Sequence, residues 1–234
     1  MKNSGYLGTR LSAVANLVDR RRVADIGCDH GKLLEELFRL GKIDYAFASD
    51  ISEPSVNKAV DLLNANNRNF DFAVGDGLEK INNQHNVEQV VISGMGGLEI
   101  IKIMDNNHLK IESFVLCPHN NEIKLKLWLF QNNYEIINDF IVKERHIYYN
   151  VLKVNKVDKV KKPKLFDLKY GKENFYGNID FYYFLMYSRD KFNKLLLSLP
   201  KHKQKEIKIE LKHVNKAIKK WERLNENNVT ISKA

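Results

Sequence analysis

The residue types best suited to chemistry lie in one stretch, Val23–Gly31, where an apolar run ends in an acid and a glycine-punctuated turn. The run predicts a buried strand, and Lys32–Leu40 predicts the helix that follows it. Gly27 and Gly31 permit a tight turn and let a ligand approach the backbone closely. This pattern is typical of the first βα unit of a nucleotide-binding α/β sheet, although an ordinary strand–turn–helix also fits it.

The spacing within this turn separates two kinds of nucleotide cofactor. The dehydrogenase fingerprint G-x-G-x-x-G requires a second glycine at the position of Asp29. The observed spacing Asp25-x-Gly27-x-x-x-Gly31 is closer to the first motif of S-adenosylmethionine-dependent methyltransferases. That cofactor has no pyrophosphate, so an acid in the turn is tolerated and helps to hold the cationic methionine end.

Other acids and glycines follow the next predicted strands. The strand Tyr45–Ser49 ends at Asp50, 19 residues beyond Gly31, where a carboxylate accepts the two ribose hydroxyls. Asp76 follows a third strand and is a candidate acceptor for the adenine amino group. Because these strand ends share one edge of an open sheet, the predicted cofactor site comprises Asp25, Gly27, Cys28, Gly31, Asp50, Ile51, Asp76, Gly77, Ser93, Gly94 and Met95. For Met95, core packing is the alternative.

Five predicted βα units and a closing hairpin position these residues. The hairpin strands Tyr134–Val142 and Ile147–Val154 are separated by four residues, which predicts an antiparallel pair. This order describes an α/β, Rossmann-like class I methyltransferase sheet and disfavours a dehydrogenase. We expect an S-adenosylmethionine-binding domain over residues 1–158 and a basic helical domain over residues 159–234.

The periodicity changes in the C-terminal part of the chain. Apolar residues recur at spacings of three, four or seven on both sides of Pro200, a residue that interrupts a helix. This heptad pattern predicts two helices that pair as an antiparallel coiled-coil hairpin. The predicted seam is Phe181, Leu185, Phe192, Leu195 and Leu199 on one helix, and Ile207, Leu211, Val214, Ile218 and Trp221 on the other.

Charge divides the chain in the same way. The net charge is +9; residues 1–150 hold 17 Lys/Arg and 20 Asp/Glu, whereas residues 151–234 hold 21 and 9. Such segregation indicates a polyanionic partner, most often nucleic acid, although a lysine-rich composition that only solvates the surface is the alternative. The predicted RNA-contacting residues are Arg10, Arg20, Arg21, Arg22, Lys205, Lys208, Lys212, Lys216 and Lys219.

Composition also limits location and cofactor class. No apolar run reaches the roughly 18 residues of a membrane-spanning helix. Cys28 and Cys117 have neither metal-site nor disulfide spacing, which favours a reducing cytoplasm and no metal. We expect a cytoplasmic monomer.

Taken together, the chain resembles the bacterial tRNA (adenine-22-N1) methyltransferases over essentially its whole length. The matching stretches are Ala24–His30, Gly75–Leu78, Gly94–Gly97 and the strand–Pro118–helix segment that reaches Trp128-Leu129. Family members tend to carry Gln-Pro-Asn where this chain has Cys117-Pro118-His119. They also commonly carry Glu at the position of Asp50, a change that keeps the ribose-binding chemistry.

The resemblance implies methyl transfer from S-adenosylmethionine to N1 of an adenine in the D-arm region of tRNA. Because N1 already presents a lone pair, it requires alignment more than deprotonation. The predicted catalytic residues are Asp29, which would stabilise the cationic product or accept a proton, and His30, which would position the base or relay the proton. The alternatives are a helix-capping role for Asp29 and a buried structural imidazole for His30.

Two other functions fit the sequence. A small-molecule methyltransferase would not need the basic C-terminal part, and a non-catalytic RNA-binding or assembly protein would retain the sheet only as a scaffold. Cofactor binding combined with a salt series of tRNA binding separates them. The former predicts cofactor uptake without RNA binding, and the latter predicts the reverse.

Overall fold

The computed structural model describes residues 7–226, which form two compact units. The first, here called the sheet unit, comprises the chain up to Asn138 together with Tyr149–Lys162. The second, the helical unit, comprises Asp139–Tyr148 and the chain from Pro163 onward. The tip of one hairpin therefore groups with the helical unit. The domain functions expected for residues 1–158 and 159–234 stay a prediction.

The sheet contains seven strands and confirms the predicted fold class. In chain order they are β1 Arg22–Ile26, β2 Tyr45–Asp50, β3 Phe70–Val74, β4 Gln89–Ser93, β5 Ser113–Cys117, β6 Tyr134–Glu144 and β7 Ile147–Lys156, arranged as β3-β2-β1-β4-β5-β7-β6. The first five are parallel, and β7 pairs with β5 in the antiparallel direction. This is the inserted last strand that the sequence predicted.

Burial on both faces of the sheet explains why the sequences of the central strands β4 and β5 are continuous apolar runs. β4 and β5 are buried on both faces, with only Ser93 partly exposed, whereas the edge strand β3 is half exposed, as at Phe72. Within the described residues, five helices complete the sheet unit: α1 Thr9–Leu17, α2 Lys32–Arg39, α3 Glu53–Ala65, α4 Gly97–Asp105 and α5 Glu122–Gln131. Because β1 to β5 are parallel, their carboxyl ends meet at one edge, where such sheets bind ligands.

The helical unit consists of α6 Leu165–Tyr170, α7 Ile179–Ser198 and α8 Lys205–Leu224, with short 3₁₀ turns at Glu173–Phe175 and Lys201–Lys203. Its buried core includes Tyr170, Phe175, Phe181 and Trp221. The indole of Trp221 stacks on Tyr182 at 4.5 Å between ring centroids. α7 and α8 therefore pack against each other, as the heptad pattern predicted.

The coiled-coil seam differs from the prediction at its far end. Phe181, Leu185, Val214, Ile218 and Trp221 are buried, and Ala217, which the pattern did not include, is buried with them. The seam residues nearer the turn between the helices, Phe192, Leu195, Leu199, Ile207 and Leu211, are only partly buried. The difference in burial arises because α6 and its following 3₁₀ turn add a third layer over the other end of the seam.

None of the helices between residues 7 and 226 combines the length and the apolar character that a membrane crossing requires.

Candidate active site

A cavity of about 240 Å³ opens at the carboxyl edge of β1 and β4. It brings together eight of the residues that the sequence predicted for cofactor, catalysis or RNA. The lining residues are Arg10, Leu11, Asp25, Gly27, Cys28, Asp29, His30, Lys32, Leu33, Ser93 and Gly94.

The turn that forms the floor of this cavity needs glycine at two positions. Gly27 has a φ of +76°, and a Cβ there would lie 2.6 Å from the methyl carbon of Met95. Gly31 has a φ of +68°, and its Cβ would lie 2.9 Å from that of Ala59 in α3. The turn is also fixed by Ser49, whose carbonyl oxygen accepts from the N–H groups of Gly27 and Cys28. Met95 packs against Gly27 and the core, as its alternative interpretation held.

Asp29 extends from this turn into solvent. Its φ is +48°, a region that Asp and Asn enter more readily than most residues, and its N–H donates to Asp50 Oδ2 at 3.2 Å. The helix α2 begins after Gly31 and has no side-chain cap. The capping interpretation of Asp29 is therefore wrong. Its carboxylate is 72% exposed at the mouth of the cavity.

Two charged side chains hold the imidazole of His30. Its Nδ1 lies 3.3 Å from Asp29 Oδ2, and its Nε2 lies 3.0 Å from the ammonium of Lys58. Because an ammonium only donates, Nε2 must accept, which places the ring proton on Nδ1, facing Asp29. The side chain is 38% exposed, so the interpretation of His30 as a buried structural imidazole is wrong.

Asp25 is the buried acid of the site, at 4% exposure. Burial, followed by the nearby charge of Asp50, raises its pKa to about 7; the charge of Arg10 opposes this and that of Asp29 adds to it. The Arg10 guanidinium, carried by α1, donates to Ser93 Oγ and lies 5.4 Å from the Tyr149 ring centroid. Arg10 was predicted as an RNA contact, and the structure places it in the cavity wall.

The remaining predicted cofactor residues lie along the same edge outside the cavity. Asp50 accepts one backbone hydrogen bond on each carboxylate oxygen, from Ser52 at 2.9 Å and from Asp29. Ile51 is 74% exposed. Beyond them, at the end of β3, Asp76 lies 3.4 Å from the Lys102 ammonium, and Gly77 is buried with a φ of +57°.

These groups fit S-adenosylmethionine. A buried carboxylate at Asp25 matches the cationic methionine end, and the Asp50 carboxylate keeps lone pairs for two ribose hydroxyls. The glycines at positions 27 and 94 leave the cavity floor free of side chains. Cys28 in the cavity wall is a free thiol whose pKa is raised, chiefly by burial. Within the described range, no three His, Cys, Asp or Glu side chains cluster as metal ligands.

Two rings on the Gly94 side of the cavity, those of His119 and Tyr149, were not predicted as site residues. His119 Nε2 lies 3.9 Å from the position of a Cβ on Gly94, and the imidazole centroid lies 5.8 Å from that of Tyr149. Burial and then the charge of Arg10 lower the pKa of His119. The sequence Cys117-Pro118-His119, which replaces the family's Gln-Pro-Asn, is the feature that could have indicated a role for His119. Nothing local marks Tyr149, since it arrives from β7.

The arginine run lies away from this site. Arg22 begins β1, so the run lies at the amino end of the parallel strands, opposite the cavity. The Arg21 guanidinium pairs with Asp44, and that of Arg22 donates to the carbonyl of His85 and covers the Tyr45 ring at 3.9 Å. The predicted RNA-contacting lysines of α8 lie in the helical unit, where all five are exposed: Lys205, Lys208, Lys212, Lys216 and Lys219.

Comparison with known proteins matches this chain to a family model, to sequence relatives and to solved structures. A family model described as "Methyltransferase domain" matches residues 7–152. A putative tRNA methyltransferase of Mycoplasma genitalium is 34% identical over 154 residues, which are 64% of this chain and 70% of that protein. The tRNA (adenine(22)-N(1))-methyltransferase of Bacillus subtilis is 30% identical over 156 residues, 64% of this chain and 65% of that protein.

Among solved structures, M. capricolum TrmK in complex with S-adenosyl-homocysteine superposes with a TM-score of 0.82 at 26% sequence identity. The match covers 92% of this chain and 99% of that chain. It therefore extends beyond the sheet unit into the helical unit.

Proposed function

The chain belongs to the tRNA (adenine-22-N1) methyltransferase family, and we propose that it transfers a methyl group from S-adenosylmethionine to N1 of adenine 22 in tRNA. The observation that carries the proposal is the turn from Asp25 to Gly31, which places a buried carboxylate inside the cavity and an exposed one, Asp29, at its mouth. The first suits a cationic cofactor, and the second suits a base that becomes cationic.

S-adenosylmethionine supplies an electrophilic methyl group when it is bound. The protein then has to align the N1 lone pair with that methyl group and to stabilise the positive charge that develops on the adenine ring. The exposed Asp29 carboxylate at the cavity mouth is the group placed for that charge. Since N1 is blocked in a paired base, adenine 22 must be unpaired or flipped before it enters.

His30 acts as a positioning residue in this proposal. Both ring nitrogens already have partners, Asp29 and Lys58, so the imidazole fixes the Asp29 carboxylate rather than relaying a proton. The base enters on the Gly94 side, where His119 and Tyr149 present their rings and Arg10 closes the wall. The lowered pKa keeps His119 neutral at physiological pH, so it can accept a hydrogen bond from the adenine amino group.

The helical unit supplies the contact with the RNA backbone. A tRNA is far larger than the cavity, and the five exposed α8 lysines offer phosphate contacts that position without reading sequence. Arg20–Arg22 remain predicted contacts, although Arg21 and Arg22 also brace the sheet unit. Because tRNA is the proposed substrate, we propose a cytoplasmic location, and we propose that the protein acts as a monomer.

The test is mass spectrometry of nucleosides after unmodified tRNA is incubated with the protein and S-adenosylmethionine. The proposal predicts 1-methyladenosine in amounts that grow with time and approach one per tRNA. N6-methyladenosine alone, or cofactor binding without any methylated nucleoside, would contradict it. A control without cofactor excludes a modification carried over with the RNA.

A further inference from the structure

The helical unit carries a second surface with the composition of a nucleic-acid site, separate from the α8 lysines. Tyr183 and Tyr187 are 50% and 59% exposed. Tyr148, on the hairpin tip, lies 6.0 Å from Tyr187 between ring centroids, and the Lys143 ammonium lies 5.5 Å from the Tyr148 ring and 5.9 Å from that of Tyr183. We call these three tyrosines and Lys143 the tyrosine platform.

Hydrogen bonds hold this platform in a fixed arrangement. The backbone N–H of Lys143 donates to Asp180 Oδ2 at 2.9 Å at the start of α7. The backbone N–H of Ile141 donates to Asn174 Oδ1 at 2.8 Å, and its carbonyl oxygen accepts from Asn178 Nδ2 at 3.0 Å. The hairpin tip is thus bonded to α7 and the 3₁₀ turn before it.

Packing orders the rings as well. Tyr183 and Tyr187 are four residues apart on α7 and so lie on neighbouring turns of one helix face. Phe184 supports Tyr148 in an edge-to-face contact at 5.6 Å. The platform is therefore preorganised, and a ligand would pay little to order these rings.

Exposed tyrosine rings beside a lysine are the groups on which unpaired bases stack. Every base has a π-face, so such stacking tolerates sequence, while a neighbouring cation attracts the backbone. The surrounding charge has the required sign, because residues 163–234 hold 16 Lys/Arg and 8 Asp/Glu. A paired helix hides its base faces and could not use the rings.

We propose that the tyrosine platform binds unpaired nucleotides of the substrate tRNA by stacking. The inference rests on the proposed function, because it assumes that tRNA is the partner of this unit. It assigns to the helical unit a contact that distinguishes looped from fully paired RNA, which the α8 lysines cannot do.

The experiment compares the double variant Tyr183→Leu/Tyr187→Leu with Tyr183→Phe/Tyr187→Phe in the full chain. Binding of unmodified tRNA and of a fully paired RNA duplex is measured at several salt concentrations. The matched control is Tyr176→Leu, which removes a tyrosine of the same unit that is 74% exposed and lies outside the platform.

The Leu variant should bind tRNA at least about fivefold more weakly than the parent, the smallest effect expected for one lost stacked base. Its salt slope and its duplex affinity should match the parent's, and the Phe and Tyr176→Leu variants should bind as the parent does. If the Leu variant binds tRNA with the parent's affinity, the proposed stacking on the tyrosine platform is wrong.

A loss of tRNA affinity that appears equally with the duplex also overturns the platform, because the contact would not require unpaired bases. S-adenosylmethionine affinity and the far-UV circular dichroism spectrum establish that the Leu variant is folded. If the parent binds tRNA but makes no 1-methyladenosine, the proposed function fails while the platform can still be measured by binding. The two failures are therefore distinguishable.

Discussion

The sheet unit and the helical unit use charge in opposite ways. In the sheet unit a few ionisable groups have specific places: Asp25 is buried, Asp29 is held at a positive φ, and each ring nitrogen of His30 lies beside a charged side chain. In the helical unit the five predicted RNA-contacting lysines are all exposed on one helix. The first arrangement suits chemistry at one atom, and the second suits attraction to an extended polyanion.

This contrast predicts how the two units respond to mutation. Replacing one placed group in the sheet unit should change one step strongly, because no neighbour can substitute for it. Replacing one lysine of α8 should weaken RNA binding slightly and in a salt-dependent way, because the contacts add up.

Asp29→Ala should lower kcat by about 10²- to 10³-fold, the usual cost of removing one group that stabilises transition-state charge. The affinity for tRNA should change by less than about twofold. Asp29→Asn keeps a residue that tolerates the positive φ and removes only the charge. Single-turnover kinetics of both variants measure the effect. An Asn variant as active as the parent would show that the charge is not used.

Asp50→Ala should weaken S-adenosylmethionine binding by about 1.5–3 kcal/mol, the scale of hydrogen bonds to a charged group. The carboxylate also accepts the Asp29 N–H, so kcat should fall with it. Isothermal titration calorimetry measures the affinity, with Asp61→Ala, an exposed acid of α3, as the control. Equal affinities for the two variants would remove Asp50 from the ribose site.

Cofactor affinity should rise about tenfold between pH 6 and pH 8. The pKa of Asp25 is about 7 in the free protein, so the carboxyl is mostly protonated at pH 6 and mostly ionised at pH 8, where it attracts the cationic cofactor. Because the folded-state pKa lies above the unfolded value of 3.8, this acid also reduces folding stability as pH rises from about 4 to 7.

Asp25→Asn should accordingly remove the pH dependence of cofactor binding and raise the melting temperature at pH 8. Calorimetry and thermal denaturation of the same samples measure both. A variant that keeps the parent's pH profile would assign the titration to another group.

Single Lys→Gln substitutions on α8 should have the smallest effects. Each lysine that contacts a phosphate should, when replaced, reduce the slope of log K against log salt by about 0.9. Lys212→Gln and Lys216→Gln, measured over a salt series, test this. Lys124→Gln is the matched control, since Lys124 is an exposed lysine of α5 in the sheet unit and is not a predicted RNA contact. A slope change at Lys124 equal to those on α8 would contradict a specific RNA contact of the α8 lysines.

Local patterns predicted the sheet and the turn well because their causes are local. Gly27 and Gly31 reveal the turn through their spacing, and β2, β6 and β7 begin at the predicted residues Tyr45, Tyr134 and Ile147. Asp29 is a candidate functional acid for the same reason, and its role stays a prediction. The details that local patterns do not reveal are those that depend on distant partners.

Arg10 shows this limit most clearly. In the sequence it is one basic residue among others, but its guanidinium lies in the cavity wall, where it donates to Ser93, 83 positions away. Arg22 and His85 are likewise distant in sequence, so nothing local reveals that the guanidinium is already bound. Periodicity predicted the seam of α7 and α8 but not its uneven burial, because it does not show where a third layer ends.

Methylation at adenine 22 is tested directly with two unmodified tRNAs that differ only at position 22, one with adenine and one with guanine. Both are incubated with the protein and S-adenosylmethionine labelled in the methyl group. Transfer should approach one methyl group per molecule for the adenine tRNA and stay at background for the guanine tRNA, and both tRNAs should bind equally. Equal transfer to the two tRNAs would contradict methylation at adenine 22.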